Sequence, residues 1–319
     1  MRYSRQTQLV EIGEQGQEKL QKARVLVVGA GGLGCQVLPL LVGAGVGYIR
    51  IYDADQVDES NLHRQTLYKM TDVGLPKVQA AWQALHALNP SVDIDIYQTR
   101  LLPSNVQTAL NNIDLVVDAA DNFVTTYVLS DACVNADLPL VSASVIERHG
   151  YVGAFCKDVP SYRAVFPHTP QQSGNCNTQG VMGSAVAVVG AMQAQIALSL
   201  LLDFQPSVLG QLFKFDFVTW QNTKMSFKRA EEPEQIISFI DSTALTPHDF
   251  VIELRSNQEL LTAPCVDYSI KVSLQDTIDL NLPQKRLVLV CKQGVRALKL
   301  ASQLQQQGHQ NIAVLAMGE

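Results

Sequence analysis

The chain lacks an excess of basic residues, and this absence narrows the range of its partners. Its 319 residues include 24 Lys and Arg against 30 Asp and Glu, which gives a formal net charge of −6 at pH 7. A general nucleic-acid-binding protein needs clustered positive charge to neutralise phosphates. We therefore expect no nucleic-acid partner.

The sequence also lacks a long uncharged apolar run with the flanks of a membrane span. Its most apolar stretch, residues 181–202, is interrupted by Gly190, Gln193 and Gln195, which favours a buried helix of a soluble protein. The N-terminal segment MRYSRQTQLVEIGEQGQEKL is polar and has no apolar region typical of a secretory signal. These features predict a cytoplasmic protein with no membrane partner.

The six cysteines form no C-x-x-C pair, which argues against zinc-knuckle and thioredoxin-type motifs. Cys35 and Cys133 lie in predicted helices, where free cysteine is commonly a buried apolar side chain. Cys176 lies among small polar residues in GNCNT, a setting that suits a reactive thiol as well as a structural one. Cys291 follows the apolar strand LVLV, so backbone N–H groups of 292–296 would stabilise its thiolate, unless it only ends a buried strand.

A glycine turn between two apolar strands is the strongest motif of the chain. Val25–Val28 leads into the turn GAGGLG at 29–34, and a second apolar run, Tyr48–Tyr52, ends at Asp53. This order is typical of a nucleotide-binding βαβ unit, in which the turn and the following helix hold phosphate and the acid binds ribose. The turn alone suits NAD as well as ATP.

Polar residues beyond Asp53 favour ATP over a dinucleotide. The segment SNLHRQ contains Arg64, and GLPK places Lys77 in the first turn of a predicted helix over 77–88. With Arg5 they form a candidate clamp for a triphosphate, although a lysine at such a position is often only solvated. Asp121 follows the strand-like run LVVDAA and suits either a helix cap or a Mg²⁺ ligand, and Asp118 is the weaker candidate.

Strands alternate with helices over the first two thirds of the chain, which predicts an α/β fold with a Rossmann-like, doubly wound and mostly parallel sheet. Gly29, Asp53 and Asp121 each lie at the carboxyl end of a predicted strand, so we expect them to face one crevice.

The later segments predict further elements and a domain boundary. A mobile loop is expected over 160–177, a long helix over about 185–202 and a hairpin-edge strand over 213–222. The charged segment 228–235 contains proline and predicts a boundary between a first domain, 1–230, and a small C-terminal α/β domain, 231–319.

A series of motifs in order resembles one known family. RYSRQ, GAGGLG, GAGVG, YDADQVDESNLHRQ, GLPK, DAADN and GNCNTQGVMG together resemble the ThiF/MoeB/HesA family of ubiquitin-activating-enzyme-like adenylyltransferases over about residues 2–228. The remainder, about residues 234–319, is similar to an incomplete rhodanese domain, chiefly through CKQGVRA.

The resemblance implies a reaction and a set of partners. ATP, with Mg²⁺, would adenylate the C-terminal Gly-Gly carboxylate of a ubiquitin-like sulfur-carrier protein, for sulfur transfer in thiamine or molybdopterin biosynthesis. The carboxylate would attack the α-phosphate and release pyrophosphate, which requires charge neutralisation and positioning. Further implied partners are a second copy of the chain and a cysteine desulfurase.

The resemblance also implies the roles of individual residues. Arg64, Lys77 and Asp121 would act in catalysis, with Asp121 holding Mg²⁺, Cys176 linked covalently to the activated carrier and Cys291 carrying sulfur as a persulfide. Arg5 would reach into the ATP site of the partner in a homodimer. The residues expected at the nucleotide are Gly29, Gly31, Gly32, Gly34, Asp53, Asp55, Asn61, Arg64, Gln65, Lys77 and Asp121.

Two departures from the family and three alternatives accompany this interpretation. Many relatives bind zinc through two C-x-x-C pairs, but Ser161 and Ala164 stand at the first pair and no second pair follows, so no structural zinc is predicted. The tail has Glu253 where rhodanese domains usually show aspartate. The alternatives are an NAD(P)-dependent oxidoreductase, adenylation of a different acid, and a non-enzymatic scaffold.

Overall fold

The structure, a computed structural model, describes residues 2–167, 180–262, 266–272 and 282–317. Its larger sheet has eight strands in the order β3-β2-β1-β4-β5-β6-β7-β8. The first five strands are parallel, and the predicted α/β fold with a mostly parallel sheet is confirmed. They are β1 (Arg24–Val28), β2 (Tyr48–Tyr52), β3 (Asp93–Tyr97), β4 (Leu115–Asp118) and β5 (Leu140–Ile146).

Three antiparallel strands extend this sheet: β6 (His149–Phe155), β7 (Gln211–Asp216) and β8 (Gln221–Ser226). The single strand predicted over 213–222 is wrong, because the chain reverses within it. Asp216 accepts hydrogen bonds from the backbone N–H groups of Val218 and Thr219 at 2.8 and 3.2 Å, which stabilises the turn between β7 and β8.

Helices cover both faces of the sheet, as expected for strands joined by right-handed crossovers. α2, α3, α4 and α8 contribute to the core on one face, and α5, α6 and α7 to the core on the other. The helices are α1 (Ser4–Thr7), α2 (Gly13–Lys22), α3 (Gly34–Ala44), α4 (Lys77–Leu88), α5 (Val106–Leu110), α6 (Phe123–Ala136), α7 (Tyr162–Val165) and α8 (Gly183–Leu201).

The segment predicted as a loop over 160–177 is only partly described, and its first part is not a loop. Residues 162–165 form the short helix α7, in which Tyr162 and Arg163 are buried. Arg163 donates from Nε to Asp131 Oδ1 at 2.6 Å, which ties α7 to α6. Residues 168–179 lie outside the described residues.

The most apolar helix, α8, packs across β5 and β6 and along α3. By length and composition it is apolar enough to cross a membrane, but half of its apolar window is buried inside the fold. The polar residue Gln193 is accommodated inside the fold by hydrogen bonds. Its Nε2 donates to the carbonyl oxygens of Asp118 at 2.6 Å and Val141 at 3.1 Å. The prediction that this stretch forms a buried helix is therefore confirmed for the face that packs on the sheet.

The C-terminal part forms a second, five-stranded parallel sheet in the order β11-β10-β12-β13-β9. Its strands are β9 (Ser238–Ile240), β10 (Phe250–Glu253), β11 (Ile270–Lys271), β12 (Leu287–Cys291) and β13 (Ile312–Ala316). Its helices are α9 (Asn257–Thr262) and α10 (Val295–Gln306).

The two sheets share a continuous apolar cluster rather than meeting through water. Phe239 of β9 stacks on Tyr127 of α6 with ring centroids 6.1 Å apart, and Arg163 donates to the carbonyl oxygen of Ile237 at 3.3 Å. Asp241 accepts a hydrogen bond from the backbone N–H of Ser104 at 2.9 Å. Residues just beyond 230 thus bind the first sheet closely, and the division at 230 stays a prediction.

Candidate active site

A cavity of about 780 Å³ opens at the carboxyl ends of β1, β2 and β4. This volume lies in the upper part of the range of small-molecule sites, about 300–1,000 Å³. The sequence places the glycine turn and the two acids at this edge, and the structure brings them together around one cavity. The predicted residues that line it are Gly29, Gly31, Gly32, Asp53, Asp55, Asn61, Arg64, Gln65, Lys77 and Asp121.

The glycines of the turn serve different purposes. Gly29 has φ 98°, and a Cβ there would lie 2.5 Å from the carbonyl oxygen of Ala119. Gly34 does not line the cavity; a Cβ there would overlap the carbonyl oxygen of Gly29, so it allows α3 to start close to β1. A Cβ at Gly31 would meet only Gln65 Nε2, at 3.7 Å, so the space beside Gly31 remains for a ligand.

Asp53 fixes the shape of the turn from the end of β2. Its Oδ2 accepts a hydrogen bond from the backbone N–H of Ala30 at 2.7 Å, and its Oδ1 accepts one from the backbone N–H of Asp55 at 2.8 Å. Burial raises the pKa of this carboxyl above its ordinary value, more than the nearby Lys77 charge lowers it. Each oxygen retains capacity for a second hydrogen bond from a ligand hydroxyl.

Lys77 is a buried cation held at the wall of the cavity. It lies in the first turn of α4, and its Nζ is 2.7 Å from Asp55 Oδ2. The Lys77 side chain is 8% exposed, whereas that of Asp55 is 61% exposed. The alternative that Lys77 is merely a solvated surface residue is therefore wrong.

Asn61 orients the residues that follow it. Its Oδ1 accepts hydrogen bonds from Arg64 Nη2 at 2.9 Å and from Gln65 Nε2 at 3.3 Å. Gln65 is 3% exposed, and its Oε1 is a buried acceptor with no hydrogen-bond partner in the part of the chain that the structure describes. An unsatisfied buried acceptor is costly, so Gln65 Oε1 indicates a ligand that donates a hydrogen bond here.

Asp118, the last residue of β4, and Asp121, three positions later, differ in their exposure to solvent. Asp121 is exposed and lines the cavity, and Asn122 rather than Asp121 caps α6, since Asn122 Oδ1 accepts from the N–H of Thr125 at 2.9 Å. Asp118 is fully buried and accepts hydrogen bonds from Thr126 Oγ1, Ser142 Oγ and the N–H of Ala120 at 2.7, 2.8 and 3.2 Å. Burial raises the pKa of Asp118 to about 6.

A single exposed carboxylate fits Mg²⁺, which takes one or two protein carboxylates and completes its shell with water and substrate phosphates. Asp121 meets this requirement and Asp118 does not. Across the described ranges, no group of three or more His, Cys, Asp or Glu side chains could hold a metal by itself. The Mg²⁺ role of Asp121 and the absence of structural zinc stay predictions; Ser161 instead caps α7 through a 3.2 Å hydrogen bond from the N–H of Ala164.

The cavity is also lined by residues that the sequence does not predict as part of the site. Segment 99–103 follows β3, and β3 pairs in register with β2, so the rule of strand ends would have found it. Asp241, Lys292 and Gln293 come from the second sheet. No local pattern marks them, because their place depends on how that sheet packs against α6.

Cys291 lies at the end of β12, immediately before two residues that line the cavity. Its Sγ accepts hydrogen bonds from the N–H groups of Gly294 at 3.1 Å and Ala297 at 3.4 Å, so the expected N–H groups surround it. The expected stabilised thiolate is nevertheless wrong for this conformation. The thiol is 1% exposed, and burial raises its pKa more than the N–H groups and Arg296 lower it.

The remaining predicted residues lie elsewhere. Arg5 lies in α1 and does not line the cavity; its neighbour Gln6 donates to the carbonyl oxygen of Ala44, at the far end of α3. Cys176 lies outside the described residues. Cys35 and Cys133 are buried, as predicted.

Comparisons with known proteins agree with this geometry. Residues 3–235 match the ThiF family. The Sulfur carrier protein adenylyltransferase of Thermus thermophilus is 42% identical over 236 residues, which cover 72% of this chain and 87% of that protein. The Probable adenylyltransferase/sulfurtransferase MoeZ of Mycobacterium tuberculosis is 31% identical over 99% of this chain and 91% of that protein.

A longer relative and a solved structure complete the comparison. The Adenylyltransferase and sulfurtransferase MOCS3 of Culex quinquefasciatus is 41% identical over 82% of this chain, and the chain spans only 63% of its length. The crystal structure of E. coli MccB with MccA-N7isoASN has a TM-score of 0.63 at 22% identity, covering 73% of this chain and 74% of that one. At this identity the structural likeness concerns the fold alone.

Proposed function

The chain belongs to the ThiF family, and from that membership we propose that it adenylates the C-terminal carboxylate of a small sulfur-carrier protein. The carboxylate attacks the α-phosphorus of ATP, the bond to the bridging oxygen breaks, and pyrophosphate leaves. The product is an acyl-adenylate ready for attack by sulfur. The name of the Thermus thermophilus relative supports this substrate class.

One observation carries the proposal: a single cavity joins the glycine turn to Arg64, Lys77 and Asp121. A dinucleotide site needs the turn and an acid such as Asp53, but it leaves the two cations without a role. In-line transfer at a phosphorus needs cations fixed around the developing charge, and the contacts of Asn61 and Asp55 fix Arg64 and Lys77.

The cavity lining supports a role for Mg²⁺. Among the described residues, four acidic and four basic side chains line it, so together these offer little net charge to ATP. Mg²⁺ held by Asp121 would supply the missing positive charge by neutralising phosphate oxygens. Lys77 and Arg64 would then position the triphosphate.

A second groove supports an extended chain terminus as the acceptor. It has a volume of about 400 Å³ and runs along β6, β7 and β8. Ser144, Ile146 and Tyr151 line both this groove and the main cavity, so the two are adjacent. A groove that adjoins the cavity suits a flexible Gly-Gly tail, because an extended segment without side chains can lie close along it. Thiamine and molybdopterin biosynthesis both use such carriers, and we propose one of these as the pathway.

We further propose that residues 231–319 form a rhodanese-like domain in which Cys291 carries sulfur as a persulfide. The MoeZ relative, named as an adenylyltransferase/sulfurtransferase, aligns with 99% of the chain and therefore with this region. The N–H groups of Gly294 and Ala297 around Cys291 Sγ support a bound sulfur anion once the loop opens. A cysteine desulfurase is the proposed sulfur donor.

A homodimer is the proposed assembly. Leu40 of α3 and Val188 of α8 are each 45% exposed, and the two helices pack side by side, so the pair presents an apolar outer layer. Arg5 lies near the end of α3 that is remote from the glycine turn. Since α3 has 11 residues, or about 16 Å of helix, Arg5 is better placed to serve the cavity of a second copy than its own.

Exchange of labelled pyrophosphate into ATP tests the proposal, with and without purified carrier proteins that end in Gly-Gly. We expect exchange that depends on a carrier and falls by about 100-fold in Arg64→Ala, because a fixed charge at the phosphates is lost. Arg229→Ala, at an exposed arginine outside the cavity, is the matched control and should retain full exchange.

Two results would overturn the proposal. Absence of exchange with every Gly-Gly carrier, together with tight binding of NADH, would favour the oxidoreductase alternative. Exchange with a small carboxylic acid and with no carrier would establish adenylation of a different acid.

A further inference from the structure

We propose that Lys292, which follows a strand of the second sheet, contacts the nucleotide in the cavity at the edge of the first sheet. The inference rests on the proposed function in one respect, that the ligand of the cavity is ATP. Lys292 lines the same cavity as Gly29, Asp53 and Arg64, although it lies more than 200 positions beyond them in the sequence. The C-terminal sheet would therefore complete the ATP site within one chain.

The position of Lys292 is fixed by the packing of its loop. Residues 292–294 connect β12 to α10 and rest on the first turn of α6. A Cβ at Gly294 would lie 2.8 Å from Val124 Cγ2 and 3.3 Å from Phe123 Cζ, so the loop lies against these side chains without a gap. Phe123 and Val124 come two and three residues after Asp121, so the loop that carries Lys292 is held near the proposed Mg²⁺ ligand.

A second contact between the two parts of the chain lies at Asp241. The carboxylate of Asp241 accepts hydrogen bonds from the backbone N–H of Ser104 at 2.9 Å and that of Thr243 at 2.9 Å. Asp241 also lines the cavity, next to segment 99–103. Two separate anchors, at 241 and at 294, therefore hold the second sheet over the site.

The proposed role of Lys292 depends on its positive charge. In the part of the chain that the structure describes, it is one of four basic residues that line the cavity, with Arg64, Lys77 and Arg100, against four acidic ones. Without it, the lining carries a net negative charge, which opposes the binding of a triphosphate. A lysine is suited to the task because it acts as a point charge on phosphate oxygens.

A consequence follows for Cys291, the residue before Lys292. Its thiol is 1% exposed while the loop is docked, so reaction with any sulfur donor requires the loop to leave α6. If ATP binds Lys292 only in the docked loop, ATP favours docking and protects Cys291 by the reciprocity of linked equilibria. Nucleotide binding and sulfur loading at Cys291 would then oppose each other.

Calorimetric titration with ATP in MgCl₂ tests the binding role in the full-length chain. We expect Lys292→Met to bind ATP about tenfold more weakly, as for the loss of one charge-assisted contact. Lys292→Arg, which keeps the charge, should bind nearly as tightly as the wild type. Lys299→Met is the matched control, since Lys299 is an exposed lysine of α10 on the same sheet.

Alkylation of Cys291 by iodoacetamide, followed by peptide mass spectrometry, tests the consequence. We expect ATP to slow alkylation severalfold in the wild type and in Lys299→Met, but not in Lys292→Met. Equal ATP affinity of Lys292→Met and Lys299→Met would overturn the binding role, and a wild-type alkylation rate unaffected by ATP would overturn the coupling. Failure of the proposed function gives a different result, the absence of carrier-dependent exchange in the wild type.

Discussion

Asp118 and Asp121 lie three positions apart at the end of β4, and the fold gives them different environments. Asp121 is exposed beside the cavity, whereas Asp118 is fully buried under Thr126 and Ser142. Asp118 also receives the N–H of Ala120, so it shapes the backbone that leads to Asp121. It is therefore a positioning residue for the candidate metal ligand.

Asp118 should make the stability of the protein depend on pH. Its pKa is about 6 in the folded protein against an ordinary value of 3.8. The folded state thus binds this proton more tightly, and the stabilisation is fully present below pH 3.8 and is lost as the pH rises through 6. The difference corresponds to about 3 kcal/mol. Asp118→Asn, which cannot ionise, should gain stability relative to the wild type by up to this amount as the pH rises from 4 to 7.

Urea unfolding of both proteins across this pH range measures the difference. Asp137→Asn is the matched control, because Asp137 is exposed at the other end of α6 and its positive φ of 54° also suits asparagine. A difference between Asp118→Asn and wild type that does not change with pH would contradict the prediction.

The sequence predicts some residues of the cavity and not others, and the difference has a physical reason. Gly29, Asp53 and Asp121 follow apolar strands, and the carboxyl ends of parallel strands must meet at one edge. Lys292 also follows an apolar strand, but that strand belongs to the second sheet. Only the packing of the two sheets brings it to the ATP site, and no short-range pattern encodes that packing.

At the scale of elements, the strands that were predicted are those with apolar runs. β2 and α4 have the predicted bounds, because buried parallel strands and amphipathic helices leave strong periodic signals. β8 has the sequence QNTKMS and is exposed along its whole length, so it carries no apolar pattern. β6 includes Gly150 and Gly153, which weaken the strand signal.

The groove along β6–β8 gives a prediction at the same scale. Thr223→Trp fills a groove position and should raise the KM for the carrier about tenfold or more in the exchange assay, because the tail can no longer enter. ATP affinity should not change, since Thr223 does not line the main cavity. Asn222→Trp is the matched control, because neighbouring residues of a strand point to opposite faces.

Together, the two variants distinguish an effect on carrier binding in the groove from an effect on the stability of the hairpin. A normal carrier KM in Thr223→Trp would contradict the proposed path of the tail. A loss of carrier activity in both variants would assign the effect to the stability of the β7–β8 hairpin instead.

At the scale of the whole molecule, two apolar surfaces matter. One lies between the two sheets of the chain, and the other is the surface through which we propose that two copies of the chain associate. The shared apolar cluster unites the two sheets, so Ile237 and Phe239 contribute to the core beside α6. On α3 and α8, Leu40 and Val188 leave apolar surface exposed. Val188 of α8 remains 45% exposed in the single chain, and we propose that a second copy of the chain covers it.

The outer layer of α3 and α8 predicts the assembly state. Val188→Glu places a charge in the proposed dimer interface. We expect sedimentation velocity to show a monomer for this variant, in contrast to the dimer that we propose for the wild type, because a buried unpaired charge is strongly unfavourable. Val218→Glu is the matched control: Val218 is 47% exposed against 45% for Val188, but it lies in the β7–β8 turn. A dimeric Val188→Glu protein, or a monomeric wild type at micromolar concentration, would contradict this interface. If Arg5 serves the partner's cavity, the monomeric variant should also lose pyrophosphate exchange, while Val218→Glu retains it.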